Sequence, residues 1–236
     1  IGQFVLDNPQ RVALMTVADL ADTLDVQPSG IIRFAKALGY SGFSEMQRIL
    51  KHQIGDLLPS SYYDRLDAAS DDGSEIARAA KLAEASLSAL PSSDQIAAAA
   101  RLLTTARLIH VVGLRRAFGV ASYLTYLLSG FEAPVRQFTG MGDMADAEIL
   151  ALAQDDVLIA ISFPSYRPET RAVVGAALAA GTKTIALTDS QLSPIARGAA
   201  QILIADPHTD AGFRSVVGCV VTAQALAMEY GRLRSV

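Results

Sequence analysis

A single cysteine in 236 residues rules out an internal disulfide. Cys219 lies between Gly218 and Val220 in an apolar helical pattern, where a reduced thiol packs as a small hydrophobe, and this favours a reducing cytoplasm. With three scattered histidines and that one cysteine, ligand spacings such as Cys-x-x-Cys or His-Glu-x-x-His are missing, so neither a metal nor a cofactor is expected. No apolar run approaches the roughly 18 residues of a membrane span, and the N-terminus lacks the basic-then-apolar layout of a signal peptide. A soluble, cytoplasmic protein with no membrane partner is therefore expected. Charged residues are few, at 19%, while 51% are hydrophobic, which excludes a disordered chain and describes an alanine-rich globular one. The initial methionine is missing too: the chain opens on Ile1, so part of its first domain is expected to lie outside this sequence.

What is present falls into two regions of different grammar. Residues 1–54 carry helical apolar spacing throughout and read as short helices. Thr16 can cap a helix bearing Val17, Leu20, Ala21 and Leu24; Asp25-Val26-Gln27 makes a turn; a second helix runs from Pro28 to Leu38 and stops at Gly39. Residues 55–73, with a Pro-Ser-Ser-Tyr-Tyr core and no sustained period, read as a linker. Residues 74–236 then form the second domain. It opens with a helix from Ser74 to Leu90 and another, capped by Asp94, to Ala106. Five short apolar runs follow: RLIHVVG, APVRQF, DVLIAIS, TKTIALT and AQILIA. Consecutive apolar residues suit strands buried on both faces, and helices between them imply a parallel sheet. The fold class is α/β, a parallel five-stranded sandwich with a smaller all-α domain before it.

In VQPSGIIRFAKALGY, Ile31, Phe34, Ala35 and Leu38 share a face that can pack inward. Gln27, Ser29, Gly30, Arg33 and Lys36 are left to face outward. A helix entering a DNA major groove needs this division, with Arg33 able to reach guanine, Gln27 adenine or a phosphate, and Lys36 a phosphate. The same pattern fits a small amphipathic bundle with a solvated charged face. Net charge does not decide: five cations (Arg11, Arg33, Lys36, Arg48, Lys51) meet five carboxylates (Asp7, Asp19, Asp22, Asp25, Glu45). Most of the cations follow the turn, however, and most of the carboxylates precede it.

The stretch AISFPSYRPET sits where the third strand runs out, offering Ser162, Ser165, Arg167 and Thr170 at the end of a parallel sheet where ligands bind. Arg115 and Arg116 follow the first strand. Arginine forks suit carboxylate and phosphate alike, so an anionic ligand is one reading. Pairing of Arg115 and Arg116 across an oligomer interface, with Arg167 bridged to Glu169 or Glu148, is the other. Phe213-Arg214-Ser215 fits a pocket wall or a subunit contact equally well.

Residues 17–50, with S-G-I-I-R-F-A-K-A-L-G-Y-S-G-F at their heart, resemble the helix-turn-helix of the RpiR family of bacterial transcriptional regulators, which joins such a domain to a sugar isomerase (SIS) domain. The resemblance extends over nearly the whole chain. It implies double-stranded operator DNA as one partner and a phosphosugar as effector; because hydroxyls of the family pattern give way to arginines here, the expected effector is a small anionic metabolite, phosphosugar or carboxylate, with a standard phosphosugar the less expected of these. The family has Gly-x-Gly-x-Ser after the first strand; here only Gly113 is kept, with Arg115 at the second glycine and Ala117 at the serine. It has Ser-x-Ser-Gly-x-Thr after the third; here Ser162 is kept, with Pro164 and Arg167 at the serine and threonine. Thr188, Asp189 and Ser190 resemble the family's last ligand-facing loop.

The competing function is a phosphosugar isomerase, which needs a poised general base. His110 lies inside a strand and reads as a hydrogen-bonded core residue, and His208 as a loop residue. Glu148 and Asp146 precede an apolar helix, and no carboxylate–histidine pair is expected. Gly113-Leu114-Arg115 does not continue as a dinucleotide fingerprint. The expectation is a regulator that does not turn its ligand over, assembled as a homodimer or homotetramer through its α/β domain. The linker would transmit the ligand's effect.

Overall fold

The computed structural model describes residues 1–55, 74–140, 145–164, 166–205, 209–210 and 213–235. The chain divides into two compact units, residues 1–70 and 71–236. Gly55, the first residue of the expected linker, is instead the last of a helix; the rest of the linker reading, Ser165 and His208 fall outside the described residues.

In the first unit the helices are α1 (Gly2–Asp7), α2 (Pro9–Leu14), α3 (Val17–Thr23), α4 (Pro28–Ala37) and α5 (Phe43–Gly55). Thr16 starts α3 with a reciprocal capping box: its hydroxyl accepts from the Asp19 N–H, and the Asp19 carboxylate accepts from the Thr16 N–H. Asp25 takes a left-handed conformation, φ 50°, which aspartate tolerates better than most residues, and so turns the chain between α3 and α4. Val12, Leu20, Ala21, Ile31 and Ala35 are completely buried, with Phe43 and Met46 closing the core. Leu38 departs from the expected inward face and is 55% exposed. It is the C-cap of α4, and the chain leaves the helix there toward Gly39 at φ 91°, so the apolar stripe ends one turn earlier at Phe34 and Ala35.

The second unit begins with α6 (Glu75–Leu87) and α7 (Ser93–Thr104). Both end short of the expected Leu90 and Ala106. Ser92, not Asp94, caps α7, because Ser92 and Gln95 exchange side-chain bonds with each other's backbone, which leaves Asp94 in the first turn. The order then runs β1 (Ile109–Gly113), α8 (Phe118–Gly130), β2 (Val135–Phe138), α9 (Ala145–Leu150), β3 (Val157–Ile161), α10 (Pro168–Ala179), β4 (Lys183–Thr188) and β5 (Gln201–Ile204). A two-residue hairpin of β6 (Thr209–Asp210) and β7 (Phe213–Arg214) leads into α11 (Val217–Arg234).

The five strands from β1 to β5 form one parallel sheet in the order β2-β1-β3-β4-β5. Ile109, Val111, Val157, Ile159 and Ile185 pack against α7, α8 and α11 on one face; Val112, Leu158, Ala160 and Ala186 pack against α10 on the other. This is why the strands read as unbroken apolar runs. The chain leaves β1 for one edge of the sheet and returns to β3 on the other side, so the loops after β1 and β3 diverge. A crevice for ligands opens at such a switch point. No helix among the described residues is long and apolar enough to cross a membrane.

Candidate functional site

Two surfaces carry the sequence-predicted site residues. The first is the outer side of α4. Gln27, its N-cap, is exposed, as are Ser29, Arg33 and Lys36, and Gly30 is half-buried. The opposite side is anchored by Ile31 and Ala35. A Cβ on Gly30 would touch nothing within 4 Å, so its lack of a side chain keeps the surface low rather than relieving a clash inside the unit. α4 thus presents small residues at its N-terminus and long cationic ones a turn later.

The second surface lies at the C-terminal ends of β1, β3 and β4. Gly113 pairs with Ile161, so the segments that start at Leu114 and Ser162 emerge side by side. Gly113 is a glycine for a local reason: a Cβ there would approach Ala117 O to 2.8 Å. Arg115 then adopts φ 55°, a left-handed backbone that is costly for a residue with a Cβ. Arg115 and Arg116 are both exposed.

After β3, Arg167 is the N-cap of α10, and its Nη2 lies 3.0 Å from Glu169 Oε1. This is one of the two ion pairs foreseen for Arg167. The Glu169 carboxyl is held below the ordinary carboxylate range, first by its own backbone N–H, with the Arg167 hydrogen bond and the charges of Arg167 and Arg115 acting the same way against desolvation. Arg167 is the arginine in contact with this carboxylate, and Arg115, from the end of β1, acts on it only through its charge.

The hydroxyls of this region are less open than the arginines. Ser162 and Thr170 are buried, and Thr188 completely so. Thr188 Oγ1 donates to Ser162 O at 2.8 Å and lies 3.1 Å from Asp189 Oδ1, which ties the β3 and β4 ends together. Thr170 Oγ1 has no hydrogen-bond partner. Ser190 is half-buried, and its hydroxyl accepts from the Leu192 N–H.

Tyr166, which the sequence did not single out, and Arg214, which it read as a pocket wall or a subunit contact, organise this end. The Tyr166 hydroxyl donates to Asp189 Oδ1 at 2.9 Å, and desolvation followed by that carboxylate pushes the phenol up to about 12. Arg214 Nη1 donates to Pro164 O at 2.8 Å, which joins the hairpin to the segment after β3. Tyr166 stood in plain view between Ser165 and Arg167. Nothing in the sequence, however, placed it across from Asp189.

A carboxylate–histidine pair does exist, contrary to expectation, but at the opposite end of the strands. Asp156, just before β3, accepts through Oδ2 from His110 Nε2 at 3.0 Å, Arg107 Nη2 at 2.9 Å and the Ala153 N–H at 3.1 Å. His110 is buried, as its strand position required. A small cavity lined by His110, Arg136, Gln137, Phe138, Glu148 and Ala151 adjoins it. Among the described residues no cluster of three or more His, Cys, Asp or Glu side chains suits a metal ion.

Residues 1–56 match the model of the helix-turn-helix domain of the rpiR family, and residues 102–229 match that of the SIS domain. A bifunctional protein glk of Burkholderia thailandensis is 28% identical over 210 residues, covering 87% of this chain. The chain spans only about a third, 32%, of that relative's length. The sugar isomerase domain of an RpiR transcription factor from Sphaerobacter thermophilus aligns with a TM-score of 0.62 at 26% identity, over 68% of this chain and 89% of that one. The NanR protein of Vibrio vulnificus, complexed with ManNAc-6P, has the same fold: its TM-score is 0.62 at 21% identity, over 99% of this chain and 84% of that one.

Proposed function

The chain belongs to the RpiR family, with an rpiR-type helix-turn-helix and an SIS domain, and from that premise we propose that it is a transcriptional regulator whose SIS domain senses a small anionic metabolite. α4 is the helix that enters the major groove of operator DNA, with Arg33 and Gln27 at base edges and Lys36 on the phosphate backbone. The effector's anionic group sits at the β1/β3 switch point, over Gly113 and Ser162, facing Arg115, Arg116 and Arg167. Thr188 and Asp189 shape the wall through their bonds to Ser162 and Tyr166, with Ser190 beside them. Thr170 completes the set. A phosphosugar is the first class to test, because the Vibrio neighbour is complexed with one.

The observation that carries the sensing role is the gathering of arginines at a switch point of the sheet, where the exposed Arg115 and Arg116 follow β1 and Arg167, after β3, lies 3.0 Å from Glu169. A regulator without turnover fits the position of the His110–Asp156 pair, which lies at the N-terminal ends of the strands, away from those arginines. The effector changes operator affinity only by favouring one arrangement of the reading heads in a dimer or tetramer, with a coupling of about 1 to 3 kcal/mol.

The test is fluorescence anisotropy of the full-length protein on DNA selected from its own genome, over a salt series, with panels of phosphosugars and organic acids. Specific, salt-sensitive binding that one panel alters is the expected result. Arg33→Ala should remove about 1–3 kcal/mol of preference for the selected site, while Lys36→Ala should weaken all sequences alike. Turnover of a phosphosugar, with no specific DNA binding, would overturn the proposal in favour of an isomerase.

A further inference from the structure

α10 is 12 residues long and begins Pro168-Glu169-Thr170. The first N–H groups of a helix have no partner within it and attract anions, so this N-terminus faces the rim with unpaired donors. Pro168 has no N–H to offer. The Arg171 N–H bonds back to Arg167 O, so the donors left in this first turn are those of Glu169 and Thr170. The Glu169 side chain folds onto its own N–H and onto Arg167 Nη2. Beside it lies a second sign of an unfinished polar site, the Thr170 hydroxyl, buried to within 1% and without a hydrogen-bond partner.

We propose that Glu169 is a built-in competitor of the effector: its carboxylate occupies the corner formed by Arg167 and the first turn of α10, and an incoming anion must displace it to bind. This rests on the anion-sensing reading of the rim and adds a residue that sets its selectivity. An incoming carboxylate would gain at this corner only about what Glu169 gives up, because the same donors meet the same kind of group. A dianionic phosphate brings more charge and a third oxygen, so the exchange favours it. Glu169 is half exposed and can swing into water when displaced. Arg167, partly exposed, can turn its fork from one anion to the other.

The experiment is isothermal titration calorimetry of the full-length protein at fixed pH and low salt, with inorganic phosphate and acetate as probes, on the wild type, Glu169→Gln, Glu169→Ala and Arg167→Ala. Circular dichroism confirms that each variant is folded. Phosphate should bind the two Glu169 variants about fivefold more tightly than the wild type, as expected for removal of an exposed charge pair, and discrimination against acetate should shrink. Arg167→Ala should bind phosphate more weakly. A merely structural Glu169 would leave affinity unchanged or lower it when replaced. If both Glu169 variants bind phosphate no more tightly than the wild type while Arg167→Ala still weakens it, the competitor role is overturned and the anionic rim stands. If no variant and no wild type binds phosphate, the sensing reading falls and this inference falls with it.

Discussion

His110 and Asp156 meet at 3.0 Å beneath the sheet although 46 residues separate them in sequence. The Asp156 side chain has no solvent exposure, and its Oδ1 has no hydrogen-bond partner, so the contacts at Oδ2 are what compensate its burial. His110→Ala should lower the unfolding free energy by roughly 3 kcal/mol, because it strands a buried carboxylate next to a new cavity. Arg107→Ala removes a partner that is itself 56% exposed and should cost under about 1 kcal/mol. Urea denaturation of the two variants checks the ordering, and equal losses would refute it.

Arg115 holds a left-handed backbone at a position where glycine would be unstrained. Arg115→Gly should raise stability by about 0.5–1 kcal/mol, the relief of a Cβ clash less the entropy of glycine. The same change should weaken binding of phosphate. A higher melting temperature with weaker anion binding would show that strain is retained at this position for the sake of its side chain; a lower melting temperature would contradict the assignment.

Tyr166 supplies a pH dependence with a definite sign. Its phenol ionises at about 12 in the folded chain against 10 when free, so between those values the unfolded chain loses the proton first. Stability is unaffected by this group below about pH 10 and falls as pH rises toward 12. Tyr166→Phe should flatten that fall, and the difference in ultraviolet absorbance between the two proteins on titration should show one phenol ionising near 12. A difference curve centred at 10 would break the link to Asp189.

Gly218, near the start of α11, lies against the backbone of α6: a Cβ there would run into the Ser86 carbonyl oxygen. Gly218→Ala should destabilise by about 2 kcal/mol, since a backbone carbonyl cannot move aside. Gly231→Ala meets the ring of Phe131 instead, which is 43% exposed and free to rotate outward, so it should be milder. Thermal melts compare them, and the reverse ranking would refute the packing argument.

The sheet was legible because both of its faces are covered: every residue of β1 and β3 is buried, so each strand reads as an uninterrupted apolar run. The reading of α4 succeeded for Ile31 and Ala35 and failed at Leu38, where periodicity was extended one residue past the helix. At α7 both Ser92 and Asp94 have capping side chains, and only the reciprocal bond with Gln95 selects the serine. The hairpin of β6 and β7 has two residues per strand, too few for any alternation to register. At the C-terminal ends of the strands, the segments themselves were visible as strand exits. Their mutual arrangement was not, because Tyr166 against Asp189 and Arg214 against Pro164 depend on which segments are neighbours.

The five residues of β3 have a strand on either edge and helices on either face, and none is exposed by more than 2%. A segment clamped from four directions acts as an anvil: a push at its C-terminal tip is resisted by packing everywhere along its length. On the proposed reading, movement set off by an anion at Arg115 and Arg167 would have to travel over the top of the sheet rather than through it. α10 is the part that would carry it. Its first turn holds Glu169, and its outer flank borders an open groove of about 980 Å³ between Arg171 and Arg197, which leaves it room to shift.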